Sequence, residues 1–261
     1  MTATPPIKFL QADGHRLEYQ YFLAKRAGLP TLVFLHQGLG SLALWRDFPA
    51  QLAEQTGCAA LVYSRYGYGR SDVIHTARKP DFLVHEGRIV LPEILATLGL
   101  DDIVLIGHSD GGTIALAYAG NGHPTRGVVV VAPHVRDEPA TQEAIRRHLD
   151  AWPSGVLRER MARYHDDVDR MFLSWAKVWP SPDNAGWSIE PMLRNITCPI
   201  LAIQGIDDDH GTMMQIDQIA ALACGPVTLE KWPQCGHDPF RDQPERALAV
   251  IAAFVMGPVA R

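Results

Sequence analysis

From Ile103 the chain runs four aliphatic residues, Ile103-Val104-Leu105-Ile106, into Gly107-His108-Ser109-Asp110-Gly111-Gly112, and then into the helix-forming Thr113-Ile114-Ala115-Leu116-Ala117. A buried strand that becomes a helix within so few residues must turn sharply. The residue at the apex takes strained backbone angles, and side chains two positions to either side would collide with strand and helix; glycine stands at 107 and 111. Ser109 is thereby expected at a helix N-terminus, with its hydroxyl presented at the end of a strand.

The rest of the chain repeats that strand-to-helix rhythm. Around Asp13-Gly14, Ile7 to Gln11 and Arg16 to Tyr21 alternate apolar with polar, which predicts an antiparallel hairpin. Short apolar runs follow at Thr31–Leu35, Ala59–Tyr63, Ile103–Ile106 and Gly127–Val131, and later at Pro199–Gln204 and Val227–Lys231. Each reads as a parallel strand buried on both faces. Helical spacing fills the intervals at Leu44–Gln55, Val84–Leu98, Thr113–Ala119, Met213–Ala223 and Glu245–Val255. The alternation predicts an α/β fold on a mostly parallel sheet of about eight strands.

One interval breaks the rhythm. Residues 134–195 contain no convincing strand, so they are expected to form a helical insertion into a core made of 1–133 and 196–261. Leu157, Met161, Tyr164, Val168, Met171, Phe172, Trp175 and Trp179 recur there at three- and four-residue intervals, predicting one long apolar stripe. Four of the six tryptophans, Trp152, Trp175, Trp179 and Trp187, fall inside it.

Composition narrows the partners. With 47% hydrophobic and 20% charged residues the chain is globular, and a net charge of −5 offers no electrostatic footprint for nucleic acid or an anionic membrane. Cys58, Cys198, Cys224 and Cys235 never approach a C-x-x-C spacing, pointing to reduced thiols and a cytoplasmic protein. No basic-then-apolar leader and no run of 18 apolar residues is found, so neither a secretory signal nor a membrane span is expected.

A serine hydroxyl is a weak nucleophile until a base takes its proton, and the base must be oriented by an acid. Gly236-His237-Asp238-Pro239 follows the last apolar run, which places His237 at a strand's carboxyl end, where sites of open α/β sheets gather. Asp207, Asp208 and Asp209 follow the preceding run and compete for the acid's role. Neither H-E-x-x-H nor another dense histidine set accompanies them, so no metal and no cofactor is expected. Oxyanion donors are expected from the N–H of Asp110 and from the glycine-rich loop His36-Gln37-Gly38-Leu39-Gly40-Ser41.

The order serine, aspartate, histidine on these segments resembles the α/β-hydrolase superfamily and not the serine proteases, whose chain orders differ. The resemblance runs from about Thr31 to the C-terminus and includes Ser64-Arg65-Tyr66-Gly67-Tyr68-Gly69-Arg70-Ser71, similar to the family's D-x-x-G-x-G-x-S turn. It implies Asp208 as the acid and the N–H of Gly38 as the second oxyanion donor. Gln37 stands where the family more often has glycine, and Ser64 where it has aspartate. The resemblance also implies that 134–195 is a helical cap between the sixth and seventh strands. Its tryptophans then suggest an apolar, partly aromatic roof in which Trp175 and Trp179 face a small apolar or aromatic substrate, the alternative being that the rings only pack the cap onto the core; Gln37 either alters the shape of the oxyanion loop or adds a polar side chain to the pocket. The expected activity is cleavage of a small carboxylic ester through an acyl-enzyme on Ser109. A carbon–carbon bond hydrolase acting on a diketone would share every one of these residues. A catalytically silent ligand-binding receptor would keep the pocket and lose turnover, a reading the intact triad argues against although some receptors of this fold retain one.

Overall fold

The computed structural model describes residues 5–257 and 259. The hairpin β1 (Lys8–Ala12) and β2 (His15–Phe22) leads to β3 (Thr31–Leu35), α1 (Phe48–Thr56) and β4 (Ala59–Tyr63). Next come α2 (Phe82–His85), a π-helical stretch at Glu86–Val90, α3 (Leu91–Leu98), β5 (Ile103–His108), α4 (Asp110–Gly120) and β6 (Gly127–Val131). Four helices follow, α5 (Pro139–Ala151), α6 (Val156–Met161), α7 (Val168–Ala176) and α8 (Glu190–Leu193). The chain then returns through β7 (Ile200–Gly205), α9 (Met214–Leu222), β8 (Val227–Trp232), α10 (Pro239–Asp242) and α11 (Pro244–Met256).

The eight strands form one sheet in the order β1-β2-β4-β3-β5-β6-β7-β8. Pairings β1–β2 and β2–β4 are antiparallel and all others parallel. The apolar runs are continuous because both faces are covered. Val33, Leu35, Leu105, Val128 and Val130 point to a core shared with Leu91, Ile94 and Leu95 of α3 and with Ile114 and Leu116 of α4. Their neighbours Leu32, Phe34, Val104, Ile106, Val129 and Val131 point the other way, against Leu52 of α1 and Ile251 and Val255 of α11. Period-two alternation of direction on a uniformly apolar strand makes two cores from one sheet.

The segment between β6 and β7 is helical, but its apolar positions do not form one stripe. Gly155 at φ 91° starts α6, and Asp167, whose side chain accepts from the Arg170 amide, caps a separate α7. Local capping divides the expected stripe into short helices, and Trp179 lies beyond the last of them. An isolated bridge, Arg136 to Ser188, ties the two ends of the segment together.

The β5–α4 turn explains its glycines. Ser109 sits at φ 52°, ψ −115°, and its N–H bonds the Val131 oxygen of β6 at 2.8 Å. A Cβ at Gly107 would overlap the Gly111 carbonyl, and one at Gly111 would overlap the Leu35 carbonyl at the end of β3. These contacts are backbone on both sides, so no side chain can move aside. Gly111→Ala is therefore expected to destabilise by about 3 kcal/mol or more, at or beyond the upper end of ordinary overpacking, read as a fall in the urea midpoint.

Candidate functional site

Parallel strands β3, β4, β5, β6, β7 and β8 end at one edge of the sheet, and the loops that leave three of them there carry the expected serine, aspartate and histidine. Ser109 leaves β5, Asp208 lies three residues past β7, and His237 follows β8. His237 Nε2 is 2.9 Å from Ser109 Oγ, and His237 Nδ1 is 2.9 Å from both carboxylate oxygens of Asp208. Three residues from separate loops thus meet in one continuous relay. Asp207 donates its amide to the Cys235 carbonyl, and Asp209 faces Arg147 and His210; neither carboxylate reaches His237.

Asp208 is held from behind. Gln204 Nε2 donates to its Oδ2 at 3.0 Å, and the amides of His210 and Gly211 donate to its Oδ1 at 2.8 and 3.3 Å. Burial alone would raise its pKa, but the His237 ring and these amides favour the anion, and the net is below the ordinary carboxylate range. The carboxylate therefore stays charged and fixes a proton on His237 Nδ1, leaving Nε2 bare toward the serine.

Other imidazoles crowd the site. His210 stacks on His237 with centroids 4.4 Å apart, His108 lies at 5.6 Å and His134 at 5.8 Å. Burial depresses the pKa of His108, and takes that of His134 to about 3 and of His210 to about 4, with His237 itself adding to each shift. These rings are neutral at pH 7. His108 Nε2 also lies 2.7 Å from the His237 carbonyl, which ties the β5 end to the histidine loop.

The loop after β3 is locked by an arginine that sequence reasoning passed over. Arg65, fully buried, donates to the Gln37 carbonyl at 3.0 Å and to Asp110 Oδ2 at 3.3 Å, and its guanidinium lies 4.5 Å over Tyr68. Its own backbone N–H bonds His36 Nε2 at 3.1 Å. Burial pushes the Asp110 carboxyl upward while Arg65 opposes it. One guanidinium therefore holds both the His36–Gly38 loop and the residue after Ser109, whose backbone N–H groups are the expected oxyanion donors. Ser64 has its own compensation: its hydroxyl donates to buried Glu18 Oε1 at 2.6 Å, bringing a carboxylate from β2 to a turn that lacks an aspartate.

Trp175 and Trp179 descend from the β6–β7 segment onto this edge. The Trp175 indole N–H donates to Asp110 Oδ2 at 3.0 Å, and its ring stands so close to Gly38 that a Cβ there would overlap it. Trp179 packs edge-on to His134, centroids 5.4 Å apart. Gln37 is half-buried beside Gly38. His165 adds a further tie, its ring accepting from the Gly69 amide at 3.0 Å and lying 3.2 Å from the Leu39 carbonyl. Two acids of the segment are occupied elsewhere: Glu138 by Thr212, and Asp169 by Arg158 and Trp152. Asp208, His210 and His237 have ligand atoms within 4.8 Å of one another and could chelate a cation, but two of them already bond each other. No helix among the described residues is long and apolar enough to cross a membrane.

A family model described as the alpha/beta hydrolase family matches residues 32–250. A proline iminopeptidase of Heyndrickxia coagulans is 30% identical, over 95% of this chain and 97% of its own length. The 2-succinyl-6-hydroxy-2,4-cyclohexadiene-1-carboxylate synthase of Serratia proteamaculans is 25% identical, over 89% of this chain and 95% of its own. A solved esterase from Exiguobacterium antarcticum superposes with a TM-score of 0.75 at 18% identity, covering 96% of this chain and 99% of that one. That last likeness is one of fold.

Two measurements follow from the site. Asp208→Asn keeps the shape but presents the wrong hydrogen-bonding pattern to His237, so turnover should fall by about 10⁴-fold, while Asp207→Asn and Asp209→Asn should cost far less. The second concerns acid. An unfolded histidine titrates near 6.5, whereas burial holds His134 to about 3 and His165 and His210 to about 4 in the folded chain. Below pH 6.5 the unfolded state binds protons the native state refuses, so stability is full above that pH and is lost as the pH falls toward 4. Unfolding free energies from urea titrations between pH 7 and 4.5 should show a slope approaching about 1.4 kcal/mol per pH unit for each such ring.

Proposed function

The chain belongs to the alpha/beta hydrolase family, and from that premise we propose that it is a serine hydrolase cleaving small carboxylic esters through an acyl-enzyme on Ser109. The observation that carries the reading is the unbroken relay Asp208–His237–Ser109, each link 2.9 Å long and ending on a serine at a strained strand-to-helix turn. In this reading Ser109 Oγ attacks the carbonyl carbon while His237 Nε2 takes its proton, and Asp208 stabilises the imidazolium. The N–H groups of Asp110 and Gly38 receive the oxyanion, held in register by Arg65. His237 then protonates the departing alcohol, and water repeats the sequence to release the acid.

The ester class rests on what surrounds the relay. Residues 134–195 act as the cap, and Trp175 and Trp179 supply an aromatic wall. The carboxylate beside the nucleophile, Asp110, is committed to Arg65 and Trp175. Glu138 and Asp169 of the cap are committed as well, which leaves them unavailable to hold the free amine of a peptide substrate. A surround of indole rings and neutral imidazoles favours a small uncharged acyl group.

Labelling with a fluorophosphonate should modify wild type and leave Ser109→Ala untouched, and Ser109→Ala should lower hydrolysis of p-nitrophenyl acetate by roughly 10⁴- to 10⁶-fold. Activity within about tenfold of wild type would remove Ser109 from the role. Within the same assay, Trp179→Ala should change the ratio of kcat/KM between acetate and octanoate esters by roughly 10-fold or more. An unchanged ratio with lowered stability would make the ring a packing element alone.

A further inference from the structure

A second histidine reaches the nucleophile. His134 Nε2 lies 3.5 Å from Ser109 Oγ, on a ring 27° from coplanar with that of His237. Its backbone is pinned to the elbow helix, because Thr113 Oγ1 donates to the His134 carbonyl at 2.7 Å and accepts from its amide at 3.2 Å. Trp179 closes one side of the ring edge-on. Nothing in the relay uses it.

The chemistry of this imidazole differs from that of His237 in one decisive respect. Asp208 sits on Nδ1 of His237, whereas Nδ1 of His134 is buried without a partner. Without an orienting carboxylate His134 is no second base, and burial keeps it neutral at working pH. Ser109 Oγ carries a single proton, which it gives to His237 Nε2, so His134 Nε2 can bond Oγ only as the donor. The proton therefore belongs on Nε2, directed at Ser109 Oγ. In the tetrahedral intermediate, with Oγ bonded to the carbonyl carbon, Oγ is a poorer acceptor, and the N–H faces the side of the reacting centre from which His237 delivers its proton.

That is where the alcohol leaves. We propose that His134 is a further catalytic residue, whose Nε2–H donates a hydrogen bond to the leaving-group oxygen as it departs. The inference rests on the ester reading above and deepens it: the substrates are esters of alkyl alcohols, whose alkoxides need such help. As the tetrahedral intermediate collapses, the bond from carbon to the leaving oxygen breaks and its electron pair goes to that oxygen. The proton comes from His237 Nε2, and His134 keeps its own throughout, supplying only electrostatic stabilisation.

Leaving-group dependence tests this. The values of kcat/KM for ethyl and p-nitrophenyl esters of the same acid are compared in wild type, His134→Leu and His134→Gln, since this parameter reports steps up to acylation. The ethyl ester should lose about 10²-fold or more in His134→Leu, the cost of removing one donor of this kind. The p-nitrophenyl ester, whose leaving group is already a stable anion, should change by less than about fivefold. The amide N–H of His134→Gln should recover part of the ethyl-ester rate. Fluorophosphonate labelling and a thermal melt establish that each variant is folded with a reactive serine. Equal losses on both esters, or no loss on either, in folded and labelled variants overturn the role of His134 and leave the ester reading standing. A wild type that labels yet hydrolyses neither ester overturns both.

Discussion

The carbonyl oxygen of Leu35 leaves no space for a side chain at position 111, and the candidate site is built outward from that contact. Strand β3 and helix α4 approach until backbone touches backbone, which brings the His36–Gly38 loop alongside Ser109. Held so close, the two segments share one counterion. Arg65 bonds the loop carbonyl on one side and Asp110 on the other, the latter pair fully out of solvent. A buried ion pair of this kind is a poor source of net stability, because desolvation consumes most of the Coulombic gain, but losing one partner strands a charge in the interior. Its contribution here is registration of two segments, one gripped through the Gln37 carbonyl and the other through the Asp110 carboxylate.

Glycine spacing and strand composition made much of this legible. Strands covered on both faces need no polar positions, so β3 to β6 announce themselves as apolar runs and their ends fall within a residue or two of those read from sequence. The serine turn is legible for a steric reason that operates within five residues. Tertiary choices were less accessible. Which of three consecutive aspartates meets His237 depends on how the loop after β7 turns, and Gln204 with the amides of His210 and Gly211 settles that turn. Glu18 replaces a missing aspartate from a strand more than forty residues away, and no local pattern marks it. His134 stood at the boundary between core and insertion, three residues beyond a strand end, with nothing in its neighbours to distinguish it from a surface histidine.

Helix capping accounts for the one clear departure in the secondary structure. The apolar spacing from Leu157 to Trp179 is compatible with a single helix, but Asp167 accepts from the Arg170 amide and starts a new one. Capping and spacing are read over different lengths of chain, and the shorter-range signal prevailed. The break matters for the site, since it orients α7 so that Trp175 reaches Asp110.

The same tryptophan gives Gly38 a meaning apart from backbone conformation. Its missing Cβ is the seat for an indole, so the loop expected to bind the oxyanion and the helix that covers it share a single van der Waals boundary. Any substrate that wedges α7 away from the sheet also strips an aromatic face from the loop and an N–H from the Asp110 carboxylate. The packing of α7 and the polarity of the groups behind Ser109 are therefore mechanically joined: moving one tryptophan changes both. Selectivity for size in such a protein would be written partly in rate and not solely in affinity.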